Sequence, residues 1–434
     1  MKNKDRFLKK MLNQIVACAC VFLTFILFQN NGYANTTTAK DTIIFNQYKG
    51  IVIDSKSKKP LVFATLLVNE TNISSVTNTQ GEFLLKIPTN YSNQRVTVSF
   101  LGYTSKVIDF NDLNESNIII KLETHIEELS EIKINIEDAN SLIREMLKNR
   151  GNNYFDFPTS MTAFYRETIK KRRSYVSLSE AVVEVNKQAY TNNKNDLLKL
   201  YKARKNTNYN KLDTITLKLK GGPSSTLKID VMKNPLDFFG DEIFDRYQFN
   251  FETNTKIDDK PVYVVNFKQK KHINDPFYYG KLFIDANTYA LISTKFYLNL
   301  EDKEKASRLF VIKKPKKATV IPTQATYQIN YRQKNGKWHF GYSRIELGFK
   351  IDYDKRLFNS VYNIVMEMAI TDWKAITEDT TIRFRDRLKP SVILSDEVQG
   401  FADPEFWGEF NVIEPEKPIE NAIKKIQKQL ERNK

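Results

Sequence analysis

The three histidines, His125, His272 and His339, are the side chains best suited to proton transfer or metal ligation near neutral pH, and they stand in three different segments. None shares a helix or strand register with a second imidazole, so neither a histidine metal site nor a triad is expected. No Gly-x-Ser-x-Gly elbow, P-loop, His-Glu-x-x-His or EF-hand loop occurs. Carboxylate pairs such as Asp258 with Asp259 and Glu405 with Glu409 have the chemistry for acid and base work on a glycan. With 51 acidic residues in the chain, such pairs also arise on any solvated surface. The residues therefore predict no catalytic, cofactor or metal ligands, with a carboxylate-dependent, glycan-active enzyme as the alternative.

Two other patterns suit binding. Basic residues cluster between predicted strands: Lys170, Lys171, Arg172 and Arg173; then Lys268 with Lys270 and Lys271; then Lys313, Lys314, Lys316 and Lys317. Tips at one end of a meander share a side, so these clusters can gather against an anionic membrane surface. The same tips also suit plain solvation, which keeps sheet edges unpaired. The second pattern is apolar and aromatic. Phe296, Leu298, Tyr327, Ile329, Tyr331, Phe340 and Ile345 would line the inside of a curved sheet, as a trough for acyl chains or as ordinary core.

The elements that must position these residues centre on residues 277–349, four short segments rich in Tyr, Phe, Ile, Val and Thr. Two of them, 325–334 and 337–347, are separated only by Asn335-Gly336, the dipeptide of a type I′ hairpin turn. The segment 223–239 predicts one or two short helices that cap an open sheet edge. Residues 139–150 read as an amphipathic helix with Asp138 as N-cap, Leu142, Ile143, Met146 and Leu147 on one face, and Gly151 as the stop.

At 434 residues, 41% hydrophobic and 27% charged, the composition is that of a globular chain long enough for two or three domains. Residues 2–10 are basic, 11–28 form an apolar run and Gly32-Tyr33-Ala34 supplies small residues, the pattern of a secretory signal cleaved after Ala34. A retained anchor and a lipoprotein box ending in Cys18 are the alternatives. Both cysteines, Cys18 and Cys20, lie in that segment, so the mature chain has neither a disulfide nor a thiolate. The net charge of +16 falls to about +12 without the signal. In an exported protein, that points to anionic lipid or glycan before nucleic acid.

Residues 48–122 hold seven short strand-like runs at the spacing of a β-sandwich. Within them, Gly50-x-Val52-x-Asp54, Pro60-Leu61-x-Phe63-Ala64, Thr77-x-Thr79-x-Gly81-x-Phe83 and Phe100-Leu101-Gly102-Tyr103 resemble the carboxypeptidase-regulatory-like domain. The resemblance implies a transthyretin-like sandwich, an accessory module of exported Bacteroidota proteins that also fronts TonB-dependent receptors; the module is not itself the peptidase. Segments 281–285 and 289–296 resemble the half-barrel of periplasmic lipoprotein carriers. Phe164-Tyr165-Arg166-Glu167 and Phe406-Trp407-Gly408-x-Phe410-Asn411 resemble runs in envelope proteins with the same front module.

The expected fold is mainly β: a transthyretin-like sandwich, then a larger antiparallel, half-barrel-like meander with few helices. The expected divisions are 1–34 signal, 35–47 leader, 48–124 sandwich, 125–158 linker with helix, 159–390 β domain, and 391–434 acidic, aromatic tail with a helix. The expected role is a non-catalytic protein of the periplasm or outer membrane that binds a lipid, a glycan or an envelope protein, without nucleic acid. An outer-membrane β-barrel or a TonB-receptor-associated component is the further alternative.

Overall fold

The computed structural model describes residues 44–91, 94–113, 118–124, 138–207, 218–219, 222–240, 242–252, 255–257, 260–313, 317–354, 359–377, 380–389, 406–416, 419–421 and 423–424. The signal segment, His125, Asp258, Asp259, Lys314, Lys316 and Glu405 lie outside them.

The front module comprises β1 (Phe45–Asp54), β2 (Thr65–Val68), β3 (Ser74–Val76), β4 (Glu82–Pro88), β5 (Val96–Ser99), β6 (Lys106–Ile108) and β7 (Ile118–Leu122). They form two sheets, β4-β1-β7 and β3-β2-β5-β6. Alternating residues such as Val52, Leu66, Leu85, Val98 and Ile120 fill the space between the sheets. Gly81 has φ +74, and a Cβ there would meet the Val52 carbonyl at 2.6 Å, so the turn requires glycine. Strand β2 begins only at Thr65, four residues after Leu61. Phe63 adopts φ +66, a left-handed conformation rare for a bulky residue, and its ring packs outside the sandwich's own core.

Helix α1 (Ala139–Lys148) follows, and the Asp138 carboxylate accepts from the Ser141 amide at 2.8 Å as the N-cap predicted. Gly151 does not stop the chain's helical course. A short turn, α2 (Arg150–Asn153), runs through it and ends at Tyr154, whose buried hydroxyl donates to the Leu291 carbonyl at 2.6 Å.

The large region begins with β8 (Thr159–Lys171), β9 (Ser174–Lys187), β10 (Leu197–Thr207) and β11 (Lys218–Leu219). Three short helices, α3 (Pro223–Lys228), α4 (Pro235–Phe238) and α5 (Ile243–Arg246), precede β12 (Tyr247–Phe251), β13 (Thr255–Ile257), β14 (Lys260–Gln269), β15 (Tyr278–Asp285) and β16 (Leu291–Leu298). Then come α6 (Lys303–Phe310), β17 (Val311–Lys313), β18 (Ala318–Lys334), β19 (Lys337–Tyr353) and β20 (Ser360–Ala375). The main sheet has the order β10-β9-β8-β20-β19-β18-β16-β15-β14-β12, with β13 also on β14. Asn335 and Gly336 take φ +50 and +77, the hairpin turn their types predict. The last strand returns to pair with β8, so the sheet is not a simple meander. Among the described residues it stays open, with β10 and β12 at its two ends; a membrane barrel must close. No helix among the described residues is long and apolar enough to cross a membrane.

One face of this sheet, the inner face, carries the main core with α1 and the segment 223–239. That segment does not cap an edge as expected. It crosses the middle of the inner face, because Leu227, Val231, Met232, Phe238 and Phe239 can all be buried there. Polar bonds fix it in place: the Tyr331 and Tyr190 hydroxyls donate to the Asp230 carboxylate at 2.7 and 2.9 Å, Lys187 pairs with Asp230 at 2.9 Å, and Ser343 donates to the Thr226 carbonyl at 2.9 Å.

Candidate binding crevice

The outer face of the sheet is organised in rows, because residues opposite one another on neighbouring strands share a face. One row runs straight across eight strands: Lys281, Lys295, Gln328, Arg344, Glu367, Arg166, Glu180 and Arg204, on β15, β16, β18, β19, β20, β8, β9 and β10. Glu180 receives Arg166 at 2.7 Å and Arg204 at 2.7 Å. Burial works to raise the Glu180 carboxyl, but the two guanidinium groups overcome it and hold the group below its ordinary value. Arg344 pairs with Glu367 and, at 2.6 Å, with Glu346.

A second row, two residues further along each strand, is apolar where it passes β19, β20, β8 and β9: Tyr342, Ala369, Phe164 and Val182. The sandwich packs on this stretch through Phe63, Val76 and Leu84, and Trp407, Val412 and Ile413 of the C-terminal segment join them. The Phe63 ring stacks on Tyr342 and lies 5.1 Å from the Arg344 guanidinium. Trp407 meets Phe164 edge to face at 5.4 Å. The two aromatic runs singled out in the sequence are thus in contact. Asn411 fastens the segment to the sandwich, accepting from the Lys86 amide at 2.7 Å and donating to the Lys86 carbonyl at 2.9 Å.

Beyond this contact the sandwich overhangs the sheet and leaves a crevice of about 620 Å³. Its upper wall is Val62, Phe63, Phe100 and Leu101; its floor is Lys281, Phe283, Lys295, Tyr297, Gln328 and Arg344. A 350 Å³ cavity adjoins it, sharing Phe63, Phe100, Leu101 and Gln328 and adding Leu67, Ile292 and Trp338. On the other side, Tyr297 and Thr326 lead to a 710 Å³ groove whose polar wall, Gln269, Asn299 and Gln324, is engaged in its own hydrogen bonds. The crevice has the size and mixed lining of a small-molecule site.

The expected trough residues lie on the inner face. Phe296, Leu298, Tyr327, Ile329, Tyr331, Phe340 and Ile345 are all buried in the main core. Phe238 contacts Phe296 at 5.5 Å, and the space left between Val231, Phe238 and Phe296 is about 10 Å³, room for about one water and far too little for an acyl chain. The basic tips share one end of the sheet: β8 and β14 end there, and β9, β18 and β20 begin there. Lys170, Lys171, Arg172 and Arg173 stand at one side of that end, Lys317 before β18, Lys313 at the end of the neighbouring β17, and Lys270 and Lys271 after β14. Lys170 lies 4.4 Å from the Tyr175 ring, and Lys270 donates to the Phe244 carbonyl at 2.7 Å.

His339 is buried and stacks on Phe155 at 5.1 Å; burial, reinforced by the Arg332 charge, pushes its pKa down to about 3. Among the described residues, no group of three or more His, Cys, Asp or Glu could hold a metal ion. Sequence reading missed Lys281, Lys295, Gln328 and Arg344 as a set; their period-two placement was visible, but not the register that aligns them.

Residues 48–134 match the family described as CarboxypepD_reg-like domain. No curated protein matches the chain. Among solved structures, a LolA superfamily protein of Nitrosomonas europaea is similar at 10% identity and TM-score 0.23, over 59% of this chain and 100% of that one. A DUF1329 family protein of Desulfovibrio piger is similar at 9% identity and TM-score 0.26, over 58% and 99%. Lipovitellin is similar at 9% and 0.26, over 54% of this chain and 27% of its own.

Proposed function

We propose that this chain is an exported, non-catalytic binding protein of the cell envelope that holds a lipid in the crevice between the sandwich and the outer face of the sheet. The observation that carries the reading is the pairing of an apolar roof, Val62, Phe63, Phe100 and Leu101, with a cationic floor in a space of about 620 Å³. Each methylene moved from water to such a roof contributes about 0.8 kcal/mol. In this reading the sandwich is an interaction module because it supplies one wall of the site. The seven inner-face residues serve as core beneath the segment 223–239. The basic tips, Lys170 to Arg173, Lys270, Lys271, Lys313 and Lys317, turn their end of the sheet toward an anionic membrane surface.

Native mass spectrometry of the mature chain, purified without detergent, tests this. A lipid-sized adduct should be present and should disappear in Leu101→Asp, provided that variant keeps its cooperative thermal transition. A chain free of any adduct, and unable to take up added lipid, would contradict the proposal.

A further inference from the structure

The row of charges beneath the crevice has a gap in it. From Arg204 through Glu180, Arg166 and Glu367 to Arg344 the signs alternate, cation against acid, strand after strand. An alternating row calls next for an acid, and β18 offers neutral Gln328; then come two lysines, Lys295 and Lys281, directly opposite each other. Like charges at directly opposed positions repel. Lys281 is relieved by Glu252 at 2.5 Å. Lys295 has no acidic partner among the described residues, and it lines the crevice with Gln328 and Arg344. Glu346 lies on the same wall, but its carboxylate is occupied by Arg344 at 2.6 Å and Gln324 at 2.9 Å. The amide of Gln328 is loosely held, donating only to Asn330 at 3.5 Å, and is free to turn its N–H group upward.

We infer that the crevice ligand carries an acidic group, a phosphate or a carboxylate, and that this group sits over Gln328, completing the alternation between Arg344 and Lys295. The inference rests on the lipid-binding reading of the crevice and names the head group. The apolar tail then runs under Phe63, Phe100 and Leu101 toward Leu67 and Ile292 in the adjoining cavity. The geometry explains why the built half of the row is covered by the C-terminal segment and the Phe63 ring while the incomplete half stays open. Where the chain supplies its own acids the face is closed; where one acid is missing there is room for another molecule to bring it.

The test is titration calorimetry of the mature chain with decyl phosphate, decanoate and uncharged decyl glucoside, each below its micelle concentration, and with inorganic phosphate alone. The wild type should bind the two acidic amphiphiles about tenfold or more tighter than the glucoside, and inorganic phosphate much more weakly than decyl phosphate. Gln328→Glu places an internal acid in the gap; it should raise the melting temperature and remove the preference for the acidic amphiphiles. Lys295→Gln should remove the preference as well. A preference that survives both substitutions would overturn the inference, and so would inorganic phosphate binding as tightly as decyl phosphate. Failure of all three amphiphiles to bind would instead overturn the crevice reading on which it rests.

Discussion

The ring of Phe63 lies 4.7 Å from that of Tyr342, stacked at 25°, and this pair joins the front sandwich to the large sheet. Phe63 reaches its partner only by adopting φ +66, so a strained backbone is held in place by the contact it makes. Phe63→Ala should destabilise the chain by about 3 to 5 kcal/mol through loss of a buried ring. The double variant with Tyr342→Ala should recover about 1 kcal/mol of coupling. Chemical denaturation of the four proteins measures both, and fully additive losses would show that the two rings do not act together.

The C-terminal segment should behave as a clamp. Trp407→Ala removes the edge-to-face partner of Phe164 and should cost about 3 kcal/mol. Asn411→Ala removes the side chain that bonds the Lys86 amide and carbonyl and should cost about 1 to 3 kcal/mol. Removal of residues 406–434 should expose Phe164 and Val182 and raise binding of a hydrophobic dye. A truncated chain with unchanged stability and no dye binding would contradict the clamp.

His339 sets an acid limit. Its folded pKa of about 3 lies below the ordinary 6.5, so it stays neutral in the folded chain while the unfolded chain takes up a proton. Stability should therefore be full above pH 6.5 and fall as pH drops from 6.5 toward about 3. His339→Phe should flatten the part of the pH dependence between those values. An unchanged slope in that window would show that the imidazole is protonated in the fold.

The basic tips should act additively and electrostatically. Replacing Lys170, Lys171, Arg172 and Arg173 by Gln should weaken binding to vesicles rich in anionic lipid by about 1 kcal/mol per charge that reaches the surface. The loss should shrink as salt is raised. Vesicle sedimentation at two ionic strengths measures it, and equal binding of wild type and variant at low salt would remove this end of the sheet as a membrane contact.

Much of the architecture was legible in the sequence because it is local. Asn335-Gly336 fixes its turn by the φ angles it tolerates, Asp138 caps α1 with its own side chain, and period-two runs mark the strands. The charged row is not local. Bulges between Pro322 and Gln324, Asn330 and Tyr331, and Ile370 and Asp372 shift the pairing of β18, β19, β20 and β8, and each shift changes which residues face each other. Sequence alone therefore could not align Lys295 with Gln328 and Arg344. The apolar residues of the segment 223–239 predict short helices at an open sheet edge but carry no signal for which part of the sheet they cover. What places the segment on the inner face is Asp230, whose buried partners Lys187 and Tyr331 come from β9 and β18, and Tyr190 from the loop after β9. The aromatic trough residues suit ordinary core as well as a lipid trough, and the position of that segment distinguishes the two.

The most direct measurement is photo-crosslinking with an acidic amphiphile that carries a diazirine at the end of its chain, followed by mapping of the modified residues. The crevice account predicts adducts on Phe100, Leu101, Leu67 or Ile292, where the chain end lies, reduced by an excess of decyl phosphate and weakened in Gln328→Glu. Adducts on the segment 223–239, or on Phe296 and Tyr327 beneath it, would contradict that account and put the ligand on the inner face of the sheet.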